Sequence, residues 1–308
     1  MAHLPAVNRI SSKKKWRIRI FVAVMIAYPV AHFSLFWIFV NFNSIVLSMQ
    51  RMNIFGDTFF AGFENYGNVI RDIRQDQAMR NILINSMLFF PVTCLITIPL
   101  SLLFSYFLFK KMPAANGFRV IFFLPSIMPI VALTFAFSTS FNSQFGFVNP
   151  ALRAVGLPGV NWFGERPWTQ IIVFMYCVWA GLGFNIVLLS GAMGRVPQEV
   201  VESAKLDGIT MRKEFRLIMI PLIWPTVVTL FILAMTSVLT VFLQPMLLTG
   251  GGPHGASGTI SLAIFEDVRS NTGLPGAAAF GLLMSLIFAP LIMITRFFLS
   301  KLWAGVDY

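Results

Sequence analysis

Acidic side chains are scarce in this sequence. Asp and Glu together number 12 in 308 residues, and charged residues of both signs make up 11%, where soluble domains carry about 25%. With 57% apolar residues, a water-soluble globule is excluded. Cysteine is scarcer still: Cys94 and Cys177 both sit inside apolar runs, which argues against a disulfide framework or a zinc site. His3, His32 and His254 are far apart and lack metal-ligand spacing, so no metal centre is read. The run G-x-x-x-x-G-K-[ST], whose backbone amides and lysine cradle nucleotide phosphates, occurs nowhere. Gly250-Gly251-Gly252-Pro253 is not followed by Gly-Lys-Ser/Thr and reads as a turned connection. The chain therefore has no such device for holding ATP.

What it has in abundance is continuous apolarity. Windows of about 19 residues give six spans at 20–40, 82–109, 120–140, 170–191, 223–247 and 276–299, none containing Asp or Glu. Each is long enough for the roughly 20 residues a bilayer requires. Pro91, Pro99, Pro125, Pro129, Pro245 and Pro290 imply kinks, and the backbone freed at a kink must be satisfied by neighbours or by a water-filled path. The expected fold is all-α and polytopic: a basic tail at 1–19, a single six-helix membrane domain at 20–300 with a polar connection at 192–222, and a short tail at 301–308.

Lys and Arg exceed Asp and Glu by 11, and their placement is asymmetric. Sixteen of the 23 fall on the side of the termini and of the 192–222 connection, seven on the other. Positive charge is retained on the cytoplasmic side, so both termini and 192–222 are expected inside, with 41–81, 141–169 and 248–275 outside. The charge is thus topology, and nucleic-acid binding loses its support. The first apolar run ends in Leu35-Phe36-Trp37-Ile38-Phe39 rather than the small residues of a cleavage site, so it reads as a retained helix.

The most informative segment runs from Pro197 to Pro221. Pro197 suits a first helical turn, with Glu199 and Glu202 near the positive end of the helix dipole. Asp207-Gly208 stops that helix, and Thr210 caps a second, with Glu214 one place past the capping-box position. Val200, Val201 and Ala204 fall on one face, a small apolar knob flanked by acids. The segment resembles the "EAA" loop of membrane subunits of binding-protein-dependent ABC importers. The pattern of Glu-Ala-Ala, a Gly four residues on, nine residues and Ile-x-Leu-Pro is met by Glu202-Ser203-Ala204, Gly208 and Ile218-Met219-Ile220-Pro221, with Ser203 and Ile220 as departures. Gly62-Phe63-Glu64-Asn65-Tyr66, Gly146-Phe147-Val148-Asn149-Pro150, Trp179 with Gly183-Phe184-Asn185, and Leu248-Thr249-Gly250-Gly251-Gly252-Pro253 resemble the sugar branch related to the maltose permease.

The resemblance implies a six-helix, non-catalytic permease of a bacterial or archaeal cytoplasmic membrane. Its coupling residues would be Glu202, Ser203, Ala204, Asp207, Gly208, Ile218 and Pro221. It also implies a second homologous permease, two cytoplasmic ATPase subunits that hold ATP and Mg, and an extracytoplasmic solute-binding protein, with no cofactor in this chain. Sugars present polar edges and weakly apolar faces, so the path needs amides and alcohols beside aromatic rings. Phe184 and Asn185 in span four, and Ser237, Thr240, Phe242 and Gln244 in span five, are the candidates. At helical spacing Ser237, Thr240 and Gln244 share a face; helix packing through small polar contacts is the competing account of each. Gly183, Gly276 and Gly281 read as packing positions.

Three alternatives stand beside this. A phosphorylated polyol could be the solute. A secondary carrier or channel is disfavoured because ion coupling needs titratable groups inside the membrane, and the spans offer only His32 away from helix ends. A structural or receptor membrane protein would show no flux. In a background lacking Cys94 and Cys177, single cysteines at Ser143 and Ser257 are expected to react with an impermeant thiol reagent from outside, and one at Ser203 only after permeabilisation; the reverse pattern refutes the topology.

Overall fold

The computed structural model describes residues 12–53, 55–270 and 273–302. Four helices are long and apolar enough to cross a membrane: α1 (Lys14–Ser48), α3 (Gln77–Phe109), α7 (Trp168–Met193) and α13 (Leu274–Lys301). Two bent pairs complete a set of six if each pair is one crossing: α4 (Ala115–Ile127) with α5 (Ile130–Ser140), and α9 (Met211–Leu222) with α10 (Trp224–Thr240). Shorter helices lie between them: α2 (Glu64–Gln75), α6 (Val148–Ala154), α8 (Gln198–Leu206), α11 (Leu243–Thr249) and α12 (Ile260–Arg269). A two-stranded hairpin, β1 (Gln50–Met52) with β2 (Thr58–Phe60), pairs Gln50 opposite Phe60.

The helices add detail to the sequence spans at three places. Residues 12–19, read as tail, are helical and continue into α1. Lys, Arg and Trp are adequate helix formers, and no Gly or Pro separates them from the span. The tail positions 1–11 and 303–308 lie outside the described residues. Span three is not one rod, because α4 and α5 meet at 107°. Met128 precedes Pro129, whose ring pushes it out of the helical region, and it adopts ψ 142. Span five is divided near its end, where α10 stops at Thr240 and Val241 is extended at ψ 112 before α11 begins; at its start α10 meets α9 at 74°.

By contrast, Pro91 and Pro99 do not break α3. A wider π-helical stretch at Thr93–Thr97 lies between them, the usual way for a helix to absorb a missing backbone bond. Pro290 is carried inside α13. At the start of α3, Asp76 is the N-cap and accepts from the Ala78 amide at 2.8 Å, a contact of the kind that satisfies otherwise free helix donors.

The core is centred on α7. Its Ile172, Leu189 and Met193 are fully buried: Leu189 and Met193 cluster with Ile98, Leu102 and Tyr106 of α3 and Val227 and Leu230 of α10, and Ile172 with Phe89, Leu133 and Trp162. α7 and α4 approach so closely at Gly183 that a Cβ there would stand 2.5 Å from the Phe122 carbonyl oxygen and 2.2 Å from Ser126 Oγ. Gly276, by contrast, has open space. At the opposite extreme, α1 is exposed along Lys14–Asn43, with Phe36, Trp37 and Phe39 more than half exposed; only its last turns rest on α13.

The 248–275 connection is tightly built. Gly250, Gly251, Gly252, His254 and Gly255 are all left-handed, and Asn85 Nδ2 donates to the carbonyls of Gly255, Ala256 and Gly258 at 3.0–3.1 Å. Ser257 is 2% exposed and hydrogen-bonded to Thr249. The labelling position on this connection is therefore exposed Ser270 rather than Ser257.

Gly183→Leu is expected to destabilise the bundle by about 1–3 kcal/mol through overpacking, read as a lower melting temperature in detergent. Gly276→Ala should leave that temperature unchanged or slightly higher. Equal losses in both would show that the α4–α7 approach at Gly183 does not set the effect, since helix propensity alone favours both substitutions.

Candidate functional site

Two sites emerge, one at a polar corner and one in the middle of the bundle. The corner is α8 and the turn into α9. Pro197 occupies the N-cap position, one place outside the helix, with ψ 131. Gly208 takes φ +71; its amide donates to the Lys205 carbonyl at 3.1 Å and the Ile209 amide to the Ala204 carbonyl at 3.2 Å. This double reverse bond is a Schellman ending, which satisfies the last helix carbonyls within the chain. Ser203 Oγ turns back onto the Val200 carbonyl at 3.1 Å.

The apolar face of α8 is not left free. Val201 and Ala204 are 6% and 4% exposed, and Val201 packs into the cluster with Tyr106, Val196 and Met219. What α8 presents outward is Glu199, Glu202, Ser203, Asp207 and Gly208, with Leu206 at 89% exposure. The apolar knob expected at Val201 and Ala204 packs against the bundle, and the exposed apolar side chain of α8 is Leu206. Thr210 stands at the N-cap of α9 but makes no side-chain cap bond. Glu214 is buried at 3% and pairs with Lys110, Nζ to Oε2 being 2.7 Å. Ile218 and Pro221 are half-buried near the end of α9, just before the 74° bend.

The second site is a cavity of about 300 Å³. α3 contributes Phe89, Thr93 and Thr97, and α7 contributes Tyr176, Phe184 and Asn185. α10 contributes Ser237, and α11 contributes Gln244. None of the residues lining it is charged. Of the six path candidates, the structure brings four together here: Phe184, Asn185, Ser237 and Gln244. Thr240 is exposed and bonds back to the Thr236 carbonyl, while Phe242 lies against Phe265 with ring centroids 5.5 Å apart; neither lines the cavity. The common face proposed for Ser237, Thr240 and Gln244 does not exist, because the helix ends between Thr240 and Leu243. Gln244 reaches the cavity from the next helix instead.

Thr93 and Thr97 were missed from sequence, although a pair of threonines at i and i+4 between two prolines was a visible signal. Ser237 donates within its own helix, to the Ala234 carbonyl at 2.7 Å. The side-chain amides of Asn185 and Gln244 make no hydrogen bond with another described residue, so both are available to a solute beside the rings of Phe184 and Tyr176. Such a set can bind hydroxyls and a weakly apolar face.

Residues 97–303 match the family described as "Binding-protein-dependent transport system inner membrane component". The chain belongs to this family. The permease is 26% identical over 276 residues to the probable ABC transporter permease protein YurN of Bacillus subtilis (strain 168), covering 88% of this chain and 93% of that one. It is 27% identical over 248 residues to the lactose transport system permease protein LacF of Rhizobium radiobacter, covering 79% and 81% respectively. Its fold is similar, with TM-score 0.80 and 18% identity over 95% of this chain and 99% of the other, to a chain from the crystal structure of a bacterial ABC transporter involved in the import of the acidic polysaccharide alginate.

Proposed function

We propose that this permease is the translocation subunit of an ATP-driven importer for an uncharged sugar or oligosaccharide. It works by alternating access, as one bundle spanning about residues 20 to 300, with both termini and α8 on the cytoplasmic side. In this reading a second, homologous permease completes the path. Two ATPase subunits hold ATP and Mg and receive α8, and an extracytoplasmic binding protein delivers the solute. The chain supplies binding and motion but no covalent step.

The observation that carries the solute class is the chemistry of the cavity. Amides at Asn185 and Gln244, hydroxyls at Thr93 and Ser237, and rings at Phe184 and Tyr176 line it without a cation. A phosphorylated polyol would leave its charge uncompensated there, at a large desolvation cost. The lactose-permease relative supports the same class. The basic asymmetry between the two sides supports the orientation. The outward set of Glu202, Leu206 and Asp207 on a helix closed by its own Schellman turn supports docking of α8 on the ATPase.

Two measurements test this. In the reconstituted importer, Gln244→Leu and Asn185→Leu are each expected to lower uptake of a neutral disaccharide by about 2- to 12-fold, equivalent to about 0.5–1.5 kcal/mol per lost hydrogen bond. Co-purification with the ATPase should be unaffected. Normal uptake in both variants, or efficient competition by a sugar phosphate, removes the cavity from the path.

For the corner, Glu202→Lys reverses an exposed charge. Gly208→Val forces a β-branched residue to positive φ at a position with no steric neighbour within 4 Å, so its cost is backbone strain alone, about 1–3 kcal/mol. Both should insert normally and lose most solute-stimulated ATP hydrolysis. Full stimulation in both overturns the docking role of α8.

A further inference from the structure

α3 is gripped at both ends by polar contacts and lines the cavity between them. At 33 residues and about 1.5 Å per residue it is a rod of roughly 50 Å. At its start, Asn81 Nδ2 donates to the His254 carbonyl at 3.1 Å. Asn85 takes three further carbonyls of the glycine-rich connection, and Ser86 Oγ accepts from the Ile260 amide at 2.8 Å. Midway, Phe89, Thr93 and Thr97 face the cavity. At its end, Lys110 Nζ is held by both Glu214 carboxylate oxygens, at 2.7 and 2.5 Å. Tyr106 donates to the Met211 carbonyl at 3.3 Å and packs on Phe215 with centroids 4.8 Å apart. Lys110 also lies 5.6 Å from the Tyr106 ring centroid.

Glu214 is 3% exposed and sits on α9, directly after the corner that ends α8. A charge pair so enclosed holds its geometry tightly, because separating the partners leaves each charge unsolvated. The contacts of α8 with the bundle differ in kind. Val201 and Ala204 are apolar contacts without direction, and such surfaces can slide. The pair at Lys110 and Glu214 cannot slide without breaking.

We infer that the Lys110–Glu214 pair is the latch through which movement of α8 and α9 is passed to α3, and so to the cavity wall and to the glycine-rich connection at the far end. Lys110 and Glu214 are positioning residues that touch neither solute nor nucleotide. This inference rests on the proposed docking of α8 on an ATPase, so the test separates the two. α3 acts as the push rod, and its π-helical stretch at Thr93–Thr97 lies at the level of the cavity.

The experiment uses the full importer with Thr93→Cys in a background free of Cys94 and Cys177. The labelling rate by an impermeant maleimide is compared with and without ATP plus vanadate, which needs no knowledge of the solute. With the latch intact, nucleotide should change the rate at least fivefold. In Glu214→Gln and in Lys110→Met the change should disappear while the ATPase subunits still co-purify in full amount. Lys110→Arg should preserve it, and the exchange of both charges, Lys110→Glu with Glu214→Lys, should restore it. If the single variants fail to assemble, the exchanged pair and Tyr106→Phe decide: response in the former and a partial loss in the latter support the latch. A normal nucleotide response in Glu214→Gln, or an assembled exchanged pair without response, overturns it. Glu202→Lys abolishing the response while Glu214→Gln does not removes the latch alone; a normal response in Glu202→Lys removes the docking reading itself.

Discussion

In a medium without water, a backbone carbonyl that loses its helical partner must find another within the protein. That constraint organises this structure. α10 ends at Thr240, and Pro245, four residues beyond Val241, has no N–H to offer. The Val241 carbonyl instead accepts from Thr259 Oγ1 at 2.6 Å, and the Leu239 carbonyl accepts from Ser261 Oγ. The glycine-rich connection, which no regular element could satisfy, hangs its carbonyls on Asn81 and Asn85. These two interruptions are matched by side-chain donors from other parts of the chain. The matched interruptions are what give the bundle a hollow centre.

The same constraint explains why Pro is treated differently along the chain. Between Pro91 and Pro99 the helix widens and continues, so α3 remains one mechanical unit. At Pro129 it turns by 107°, where the preceding Met128 has left the helical region. The cavity wall combines the continuous α3 and α7 with the interrupted α10 and α11. Gly183 fixes where α7 crosses α4, since no side chain could stand between Ser126 and the Phe122 carbonyl.

Much of this was legible in the sequence. Six apolar spans without Asp or Glu set the membrane class, and the spacing from Glu202 through Gly208 to Ile218 and Pro221 marked the corner with its helix stop. The prolines marked bends in spans three and five, but periodicity could not give their size or place, because an apolar run reads the same whether straight or bent. For that reason Thr240 and Gln244 were placed on one face and are not. The outward side of α8 was also misjudged: small apolar residues at Val201 and Ala204 suit a partner's groove as well as the chain's own bundle, and only the fold tells which is used. Glu214 looked like an imperfect cap because its partner, Lys110, is 104 residues away, a distance over which local pattern carries no information.

The closed ending of α8 has a bearing on rates. Its last carbonyls are satisfied by Gly208 and Ile209, and its inner face is already packed, so the helix is complete before anything touches it. A partner that lands on Leu206 and Glu202 meets a preformed shape and does not have to order a segment, which removes an entropic term that otherwise weakens association. Nor can a load applied there be absorbed by uncoiling the helix, as it would be in a frayed one. The corner is stiff by construction, and what it receives as displacement it returns as displacement.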